Sequence, residues 1–267
     1  MKLSIYTFVK DGLFYDFHVV EMLKHHLDFA DEIIVNEGFS NDKTYKKIKD
    51  IHPKIKIFRN NWDSPDPTTW HKKFKNQTLK YCTGDWCIML DCDEFIPEWQ
   101  FEPIKCFLRE TDKVILSITY LNFYGNYKVY VKKPKELNWT ERRFVIHRNL
   151  PEIEVWGDGA NVRLRGKDKK IYGSTEFECH HFGYVRHASI LRKKWREQSA
   201  TYGQKKFKWL KIPMWVYKMF PHNWFDPDIL PYLDIYPGPY IKAVKNNPQE
   251  FIRDDFKLYF FLKNELP

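Results

Sequence analysis

Four consecutive residues, Asp91-Cys92-Asp93-Glu94, follow the unbroken apolar run Trp86 to Leu90, WCIML. In an extended segment, residues i and i+2 point to the same side. Asp91 and Asp93 can therefore present two hard oxygen ligands together. Such a pair suits Mg2+ or Mn2+ that shares its shell with a phosphate. Paired carboxylates are also common on solvated loops, so the surrounding sequence has to decide. WCIML is apolar at every position, the mark of a strand covered on both faces. Gly84-Asp85 opens it. The pair stands at the carboxyl end of a central strand.

The elements that must position this pair can be read along the chain. Leu3 to Val9 is a first strand, ended by Lys10-Asp11-Gly12. Residues 15–30 place Phe17, Val20, Met22, Leu23, Leu27 and Phe29 near helical spacing. Glu32 to Val35 is a second strand. Ser40-Asn41-Asp42 offers N-cap chemistry for a helix reaching about Asp50. Lys54 to Phe58 alternates as a third strand, and Trp70 to Cys82 reads as a helix. Strands alternating with helices give a mostly parallel sheet with helices on both faces, the α/β class. Ligands of such sheets bind beyond the carboxyl ends of the strands. The loops after Val9, Val35, Phe58 and Leu90 should thus line one site.

From Val114 the pattern changes. VILSITYLNFYG, YKVYVKK and RRFVIHR read as strands between turns, an antiparallel layer, and residues 188–200 look helical. The remaining tail carries repeated prolines and reads as short helices and loops. The expected organisation is one compact domain in three parts: residues 1–113, 114–200 and 201–267.

Composition sets limits. The 267 residues suit one elaborated α/β domain. A hydrophobic fraction of 43% with 30% charged residues excludes a disordered, collagen-like or coiled-coil chain. Five cysteines, Cys82, Cys87, Cys92, Cys106 and Cys179, form no CxxC pair. That argues against a zinc ribbon or disulfide framework and for reduced thiols in the cytoplasm. The N-terminus is charged too early for a signal peptide, and no apolar run is long enough to span a membrane.

The net charge of +9, with 18% aromatic residues, points to a polyanionic partner. Residues 192–218 hold nine basic residues and one acidic residue, interleaved with Trp195, Trp209 and Trp215. Three readings fit: a solvated basic face, a segment lying peripherally on anionic lipid, and a nucleic-acid track.

Four ordered motifs resemble family 2 glycosyltransferases with the GT-A fold. NEGFSNDKT (36–44) is similar to that family's second-strand motif, and NQTLKYCTGDWCIMLDCDEF (76–95) to its stretch ending in D-x-D. GDGANVR (157–163) and CHHFGYVRHASILRKKW (179–195) resemble motifs of a bacterial branch. The resemblance implies a GT-A-like domain: a nucleotide-binding sheet, an antiparallel acceptor layer and a helical, Pro-rich C-terminal segment. It implies that Asp93 coordinates Mn2+ or Mg2+ directly. Asp91 contacts the donor ribose or metal-bound water, and His181 completes the metal shell, with His180 as its rival. Thr7 and Val9 would flank the base, Glu37 would touch base or ribose, and Asp42 would pin the loop or cap the helix. Arg186 and Lys194 would pair with the diphosphate. The chain departs from the family pattern in having Glu at 37, Val9-Lys10-Asp11 after the first strand, and Cys92 inside D-x-D.

A base must also deprotonate the acceptor hydroxyl. Asp158 comes first, as a loop residue of the acceptor half, although an Asp before Gly159 also simply forms turns. Glu141 and Glu94 are the rivals. The resemblance thus implies a metal-dependent, inverting glycosyltransferase. It would take a sugar from a nucleotide-sugar donor, UDP-linked, to a saccharide or lipid-linked acceptor at the inner membrane face. The alternatives are a phage-type enzyme glycosylating hydroxymethylated DNA bases, and a non-catalytic nucleotide- or glycan-binding module of the same fold.

Overall fold

A computed structural model describes residues 1–62, 69–132, 134–137, 139–166, 169–186, 190–191, 193–194 and 229–245. The chain divides into two compact units, Met1–Leu121 with Thr140–His181, and Asn122–Trp139 with Phe182–Pro267. The helix expected over 188–200 and the basic stretch 192–218 fall mostly outside the described residues.

The first unit is built on β1 (Leu3–Val9), β2 (Glu32–Glu37), β3 (Ile55–Arg59) and β4 (Trp86–Met89). They pair in parallel in the order β3-β2-β1-β4. Every residue of β2 and β4 is buried, as the apolar run of β4 requires. The antiparallel strands join the same sheet: β8 (Arg142–Arg148) pairs with β4, and β6 (Ile115–Tyr124) pairs with β8. β11 (Tyr172–Tyr184) pairs with β6 and with the two-residue β5 (Glu94–Phe95). A separate hairpin pairs β9 (Ile153–Trp156) with β10 (Asn161–Leu164).

Helix α1 spans only Val19–His25, against the 15–30 expected from periodicity. The amides ahead of it are taken by side chains from the next loop. Asp11 N–H donates to Ser40 Oγ (2.8 Å), Leu13 N–H to Thr44 Oγ1 (3.1 Å) and Phe14 N–H to Asp42 Oδ2 (2.8 Å). Asp16, at φ 52°, also breaks the helical path. The same loop leads into the short α2 (Thr44–Ile48), and α3 spans Trp70–Leu79. Helix α4 (Phe101–Glu110) buries Phe101, Ile104 and Leu108 at helical spacing, and Phe101 stacks on Phe29 at 4.5 Å.

Glu32 ties the amino ends of the parallel strands together. It is 2% exposed, and Oε1 accepts from Ser4 Oγ (2.6 Å), Thr83 N–H (2.7 Å) and Thr83 Oγ1 (2.8 Å). Oε2 accepts from Lys56 Nζ at 2.7 Å. Burial alone would raise its pKa. The bonds from Lys56, Ser4 and Thr83 outweigh burial and lower it to about 2. A lowered carboxylate pKa stabilises the fold above the unfolded value, and that gain disappears as pH falls from about 4.5 towards 2. Lys56 is more than half exposed, so about 2 kcal/mol is expected to be lost across that window. Glu32→Gln should flatten the loss in acid-dependent unfolding curves.

In the second unit, β7 (Val129–Val131) pairs with Phe123 of β6 and with β12 (Leu233–Ile235). Tyr124, Val129, Val131, Ile229 and Leu233 form its core, with Trp139 stacked on Tyr184 at 4.6 Å. A short helix, α5, covers Lys242–Lys245. All five cysteines are free thiols, and only Cys106 is exposed. Among the described residues no helix is long and apolar enough to cross a membrane.

Candidate active site

The carboxyl ends of β1, β2, β3 and β4 lie side by side. Gly38 N–H donates to Val9 O (2.9 Å), and Asn60 N–H to Glu37 O (3.1 Å). A Cβ on Gly38 would lie 2.5 Å from Trp62, whose ring stacks on Phe74 at 4.8 Å. Gly38→Ala must therefore displace a packed indole. It should cost about 1–3 kcal/mol, read as a lower urea midpoint.

Asp91-Cys92-Asp93 is a turn and not the extended segment expected. Glu94 N–H donates to Asp91 O at 3.0 Å. Cys92 Sγ points back to β1, 3.3 Å from Phe8 O and 3.5 Å from Thr7 Oγ1. The turn is closed from the other side by Glu94, whose Oε2 accepts from Asp91 N–H at 2.8 Å. Both carboxylates therefore remain at the strand end, by a different local route.

Glu94 is 2% exposed. It also accepts from Arg143 Nη1 (2.8 Å) and Tyr120 Oη (3.1 Å). Burial and the Asp91 charge push its pKa up, against Arg143 and Lys75. With both oxygens engaged, Glu94 fits a structural clamp and not the base it was nominated as. β8 runs antiparallel to β4, so the β8 amino end brings Arg143 to the carboxyl end of β4. Glu141 precedes β8 at that same end, and its carbonyl accepts Tyr120 N–H at 2.7 Å. Arg142 is taken by Thr119 Oγ1 at 2.8 Å and by Ser117 Oγ at 3.3 Å.

β5 settles which histidine meets the acidic turn. His181 pairs with Glu94 and His180 with Phe95, and alternation sends their side chains to opposite faces. His181 Nε2 lies 3.8 Å from Asp93 Oδ1. His180 is buried on the other side, 3.8 Å from Glu178 Oε2 and against the Trp99 ring. The carboxyl end of α1 holds the chain just past β5: Ile96 N–H donates to His26 Nε2 (3.1 Å), and His25 Nε2 lies 2.7 Å from Ile96 O.

Among the described residues no group of three or more His, Cys, Asp and Glu is arranged to hold a metal ion. Asp93 and His181 nevertheless fit two positions of a Mn2+ or Mg2+ shell. Such ions leave most of their shell to phosphate and water. An oxygen and an imidazole donor together suit Mn2+.

Asp91 is committed elsewhere. Its Oδ1 lies 2.7 Å from Nζ of Lys75, a lysine only 4% exposed in the middle of α3. Burial raises the Asp91 pKa, yet Lys75 outweighs burial and the Asp93 charge, so the carboxylate sits below its ordinary range. About a third of the Asp91 side chain remains exposed. Lys75 also donates to Gly159 O at 2.9 Å, and its ammonium lies 5.3 Å from the Phe8 ring centroid. Sequence reading missed Lys75. Its spacing was the available signal, because Phe74, Lys75, Thr78 and Leu79 share the buried face of α3.

The other expected donor contacts divide. Thr7, Val9 and Glu37 are buried. Glu37 accepts from Ser40 N–H (2.7 Å) and Arg59 Nε (2.5 Å). With no exposed surface it anchors the 38–40 loop, which corrects its expected contact with base or ribose. Asp42 accepts from Thr44 N–H (2.7 Å) and Phe14 N–H (2.8 Å). Arg186 is buried in the second unit.

Asp158 lies on the tight loop between β9 and β10. The loop is docked on α3. The Asn76 amide bonds both Val155 O (3.0 Å) and Val155 N–H (2.8 Å), and Gly159, at φ 94°, leaves a Cβ only 2.7 Å from His71 Cβ. Asp158 Oδ1 accepts Ala160 N–H at 3.1 Å. Its turn-forming role is therefore present in the fold. Beside it Trp156 is 46% exposed, with the Arg163 guanidinium stacked 3.1 Å from its ring centroid.

A parallel sheet with an acidic turn at its carboxyl end and a histidine brought back on an antiparallel strand defines a GT-A-like fold. A family model described as glycosyl transferase family 2 matches residues 19–191. The match covers more than half of the chain, and the protein belongs to glycosyl transferase family 2. It is a glycosyltransferase. A search of curated proteins finds no match. Among solved structures, S. aureus TarS 1–349 in complex with UDP-GlcNAc is 22% identical with a TM-score of 0.39, over 47% of this chain and 36% of that chain. The same protein in complex with UDP is 16% identical with a TM-score of 0.44, over 78% of this chain and 67% of that chain.

Proposed function

We propose that this glycosyltransferase moves a sugar from a UDP-linked donor to an acceptor hydroxyl, with inversion and with Mn2+ or Mg2+. The observation that carries the reading is the approach of His181 to Asp93 at the end of β4. When bound, the cation would supply Lewis-acid neutralisation of the departing diphosphate. Asp93 and His181 would hold it from the protein side, while the exposed part of Asp91 faces the donor. The acceptor oxygen would attack the anomeric carbon as the bond to the diphosphate breaks. Asp158, on the docked loop, would take the hydroxyl proton.

In this reading residues 1–113 hold the donor, 114–200 complete the metal site and receive the acceptor, and 201–267 extend the domain. We place the acceptor among saccharides or lipid-linked saccharides and the enzyme at the cytoplasmic membrane face, reached through residues 192–218. The physical support is the basic and aromatic composition of that stretch.

Incubation with a panel of UDP-sugars and Mn2+, with release of UDP followed over time, tests the reaction. Slow release without acceptor and faster release with a saccharide acceptor are expected. No release from any UDP-sugar at high enzyme concentration would overturn the UDP assignment.

A further inference from the structure

We propose that Lys75 is a positioning residue that ties the Asp91 turn to the Trp156–Ala160 loop and so couples the donor side of the site to the acceptor side; this rests on the reaction proposed above. A lysine in the middle of a helix normally reaches solvent, and enclosing its ammonium is costly unless partners compensate. Here three elements provide them: Asp91 Oδ1 at 2.7 Å, Gly159 O at 2.9 Å and the Phe8 ring at 5.3 Å. These contacts come from the turn after β4, the β9–β10 loop and the end of β1. One ammonium therefore bridges the carboxylate that faces the donor and the backbone of the loop that carries Asp158. The loop cannot shift away from α3 without breaking the Lys75 bond, and Asp91 cannot turn without leaving a buried cation half-partnered. The Gly159 backbone is held on the same helix, because its missing side chain lets it approach Lys72 N and His71 Cβ. Donor contact at Asp91 is thereby transmitted to the acceptor loop through one side chain.

Hydrogen exchange of the wild type, Lys75→Met and Lys75→Arg tests the tether. Methionine keeps most of the side-chain volume and removes the charge. In the free protein, Lys75→Met should speed exchange at least tenfold both at residues 91–94 and at residues 157–160, with β2 amides unchanged. Lys75→Arg should restore most of the protection, a rescue that mere filling of the space would not require. With UDP and Mn2+ added, the wild type should gain protection at 157–160. Lys75→Met should gain it only at 91–94. The tether is overturned if the variant loosens neither segment or only one, or if added nucleotide protects both segments in the variant as in the wild type. Should Lys75→Met not fold, Asp91→Asn takes its place: faster exchange at 157–160 supports the tether, and unchanged exchange there overturns it. The free-protein comparison needs no ligand, so a wild type that binds no UDP counts against the proposed reaction and leaves the tether judged by its own result.

Discussion

Asp93→Ala should lower donor turnover by at least about 10^3-fold, the size of effect seen when a group that stabilises developing charge is removed. Asp93 is 4% exposed, lies beside His181, and shares its turn with Asp91. Its Oδ1 lies 3.8 Å from His181 Nε2, and in the proposed reaction it is the carboxylate that holds the cation. Removing it takes away a neighbouring like charge from Asp91, and stability should therefore change by less than about 1 kcal/mol. Steady-state UDP release and thermal melting measured on the same preparation separate the two effects. His181→Ala should show the same pattern with a smaller loss, about 10- to 100-fold, as the second protein ligand. Wild-type turnover by Asp93→Ala would remove the metal site from the account.

Arg143→Met should have the largest effect on stability, about 3–5 kcal/mol, because it leaves a buried carboxylate without its cation. Arg143 reaches Glu94 Oε1 at 2.8 Å, and its guanidinium lies 4.3 Å from the Tyr120 ring centroid. Burial already pushes the Glu94 pKa up, and Arg143 is the first of the groups opposing that push. Without it Glu94 must either stay charged and unpaired or take up a proton and weaken its bond to Asp91 N–H. Urea unfolding at neutral pH reads the loss as a lower midpoint with an unchanged slope. Turnover should fall as well, since the Asp91 turn is closed by the Glu94 carboxylate. A midpoint within experimental error of wild type would mean that Glu94 is not clamped as described.

The parallel strands were legible because burial on both faces leaves a plain sequence mark. IIV and WCIML are unbroken apolar runs, and the structure buries every residue of β2 and β4, including the hydrogen-bonded Glu32, Asn36 and Glu37. What sequence could not supply came from groups distant in the chain. The first helix begins late because Tyr15, Asp16 and Phe17 N–H close turns on the carbonyls of Asp11, Leu13 and Gly12, and Ser40, Thr44 and Asp42 hold the amides of residues 11, 13 and 14, a competition invisible to local periodicity. The D-x-D pair was found for a reason that does not hold, since its residues form a turn. It was nevertheless placed at the correct strand end. The doublet left His180 as the rival of His181, and the register of β5 against β11 puts His181 beside Asp93 and His180 on the opposite face. Glu37 and Glu94 looked like available carboxylates. Each is buried against an arginine brought from another strand, Arg59 and Arg143. Lys75 stood in a run of lysines that reads as a solvated helix face, and only packing shows that its ammonium is enclosed.

The central claim is that Asp93 and His181 hold a divalent cation against a nucleotide diphosphate. Calorimetric titration of UDP into the protein in the presence of Mn2+ tests it most directly, with wild type, Asp93→Ala and chelator-treated wild type compared. The account predicts saturable binding by the wild type that is lost with chelator and with Asp93→Ala. Binding of equal affinity in all three samples, or no binding by wild type with Mn2+ present, would contradict it.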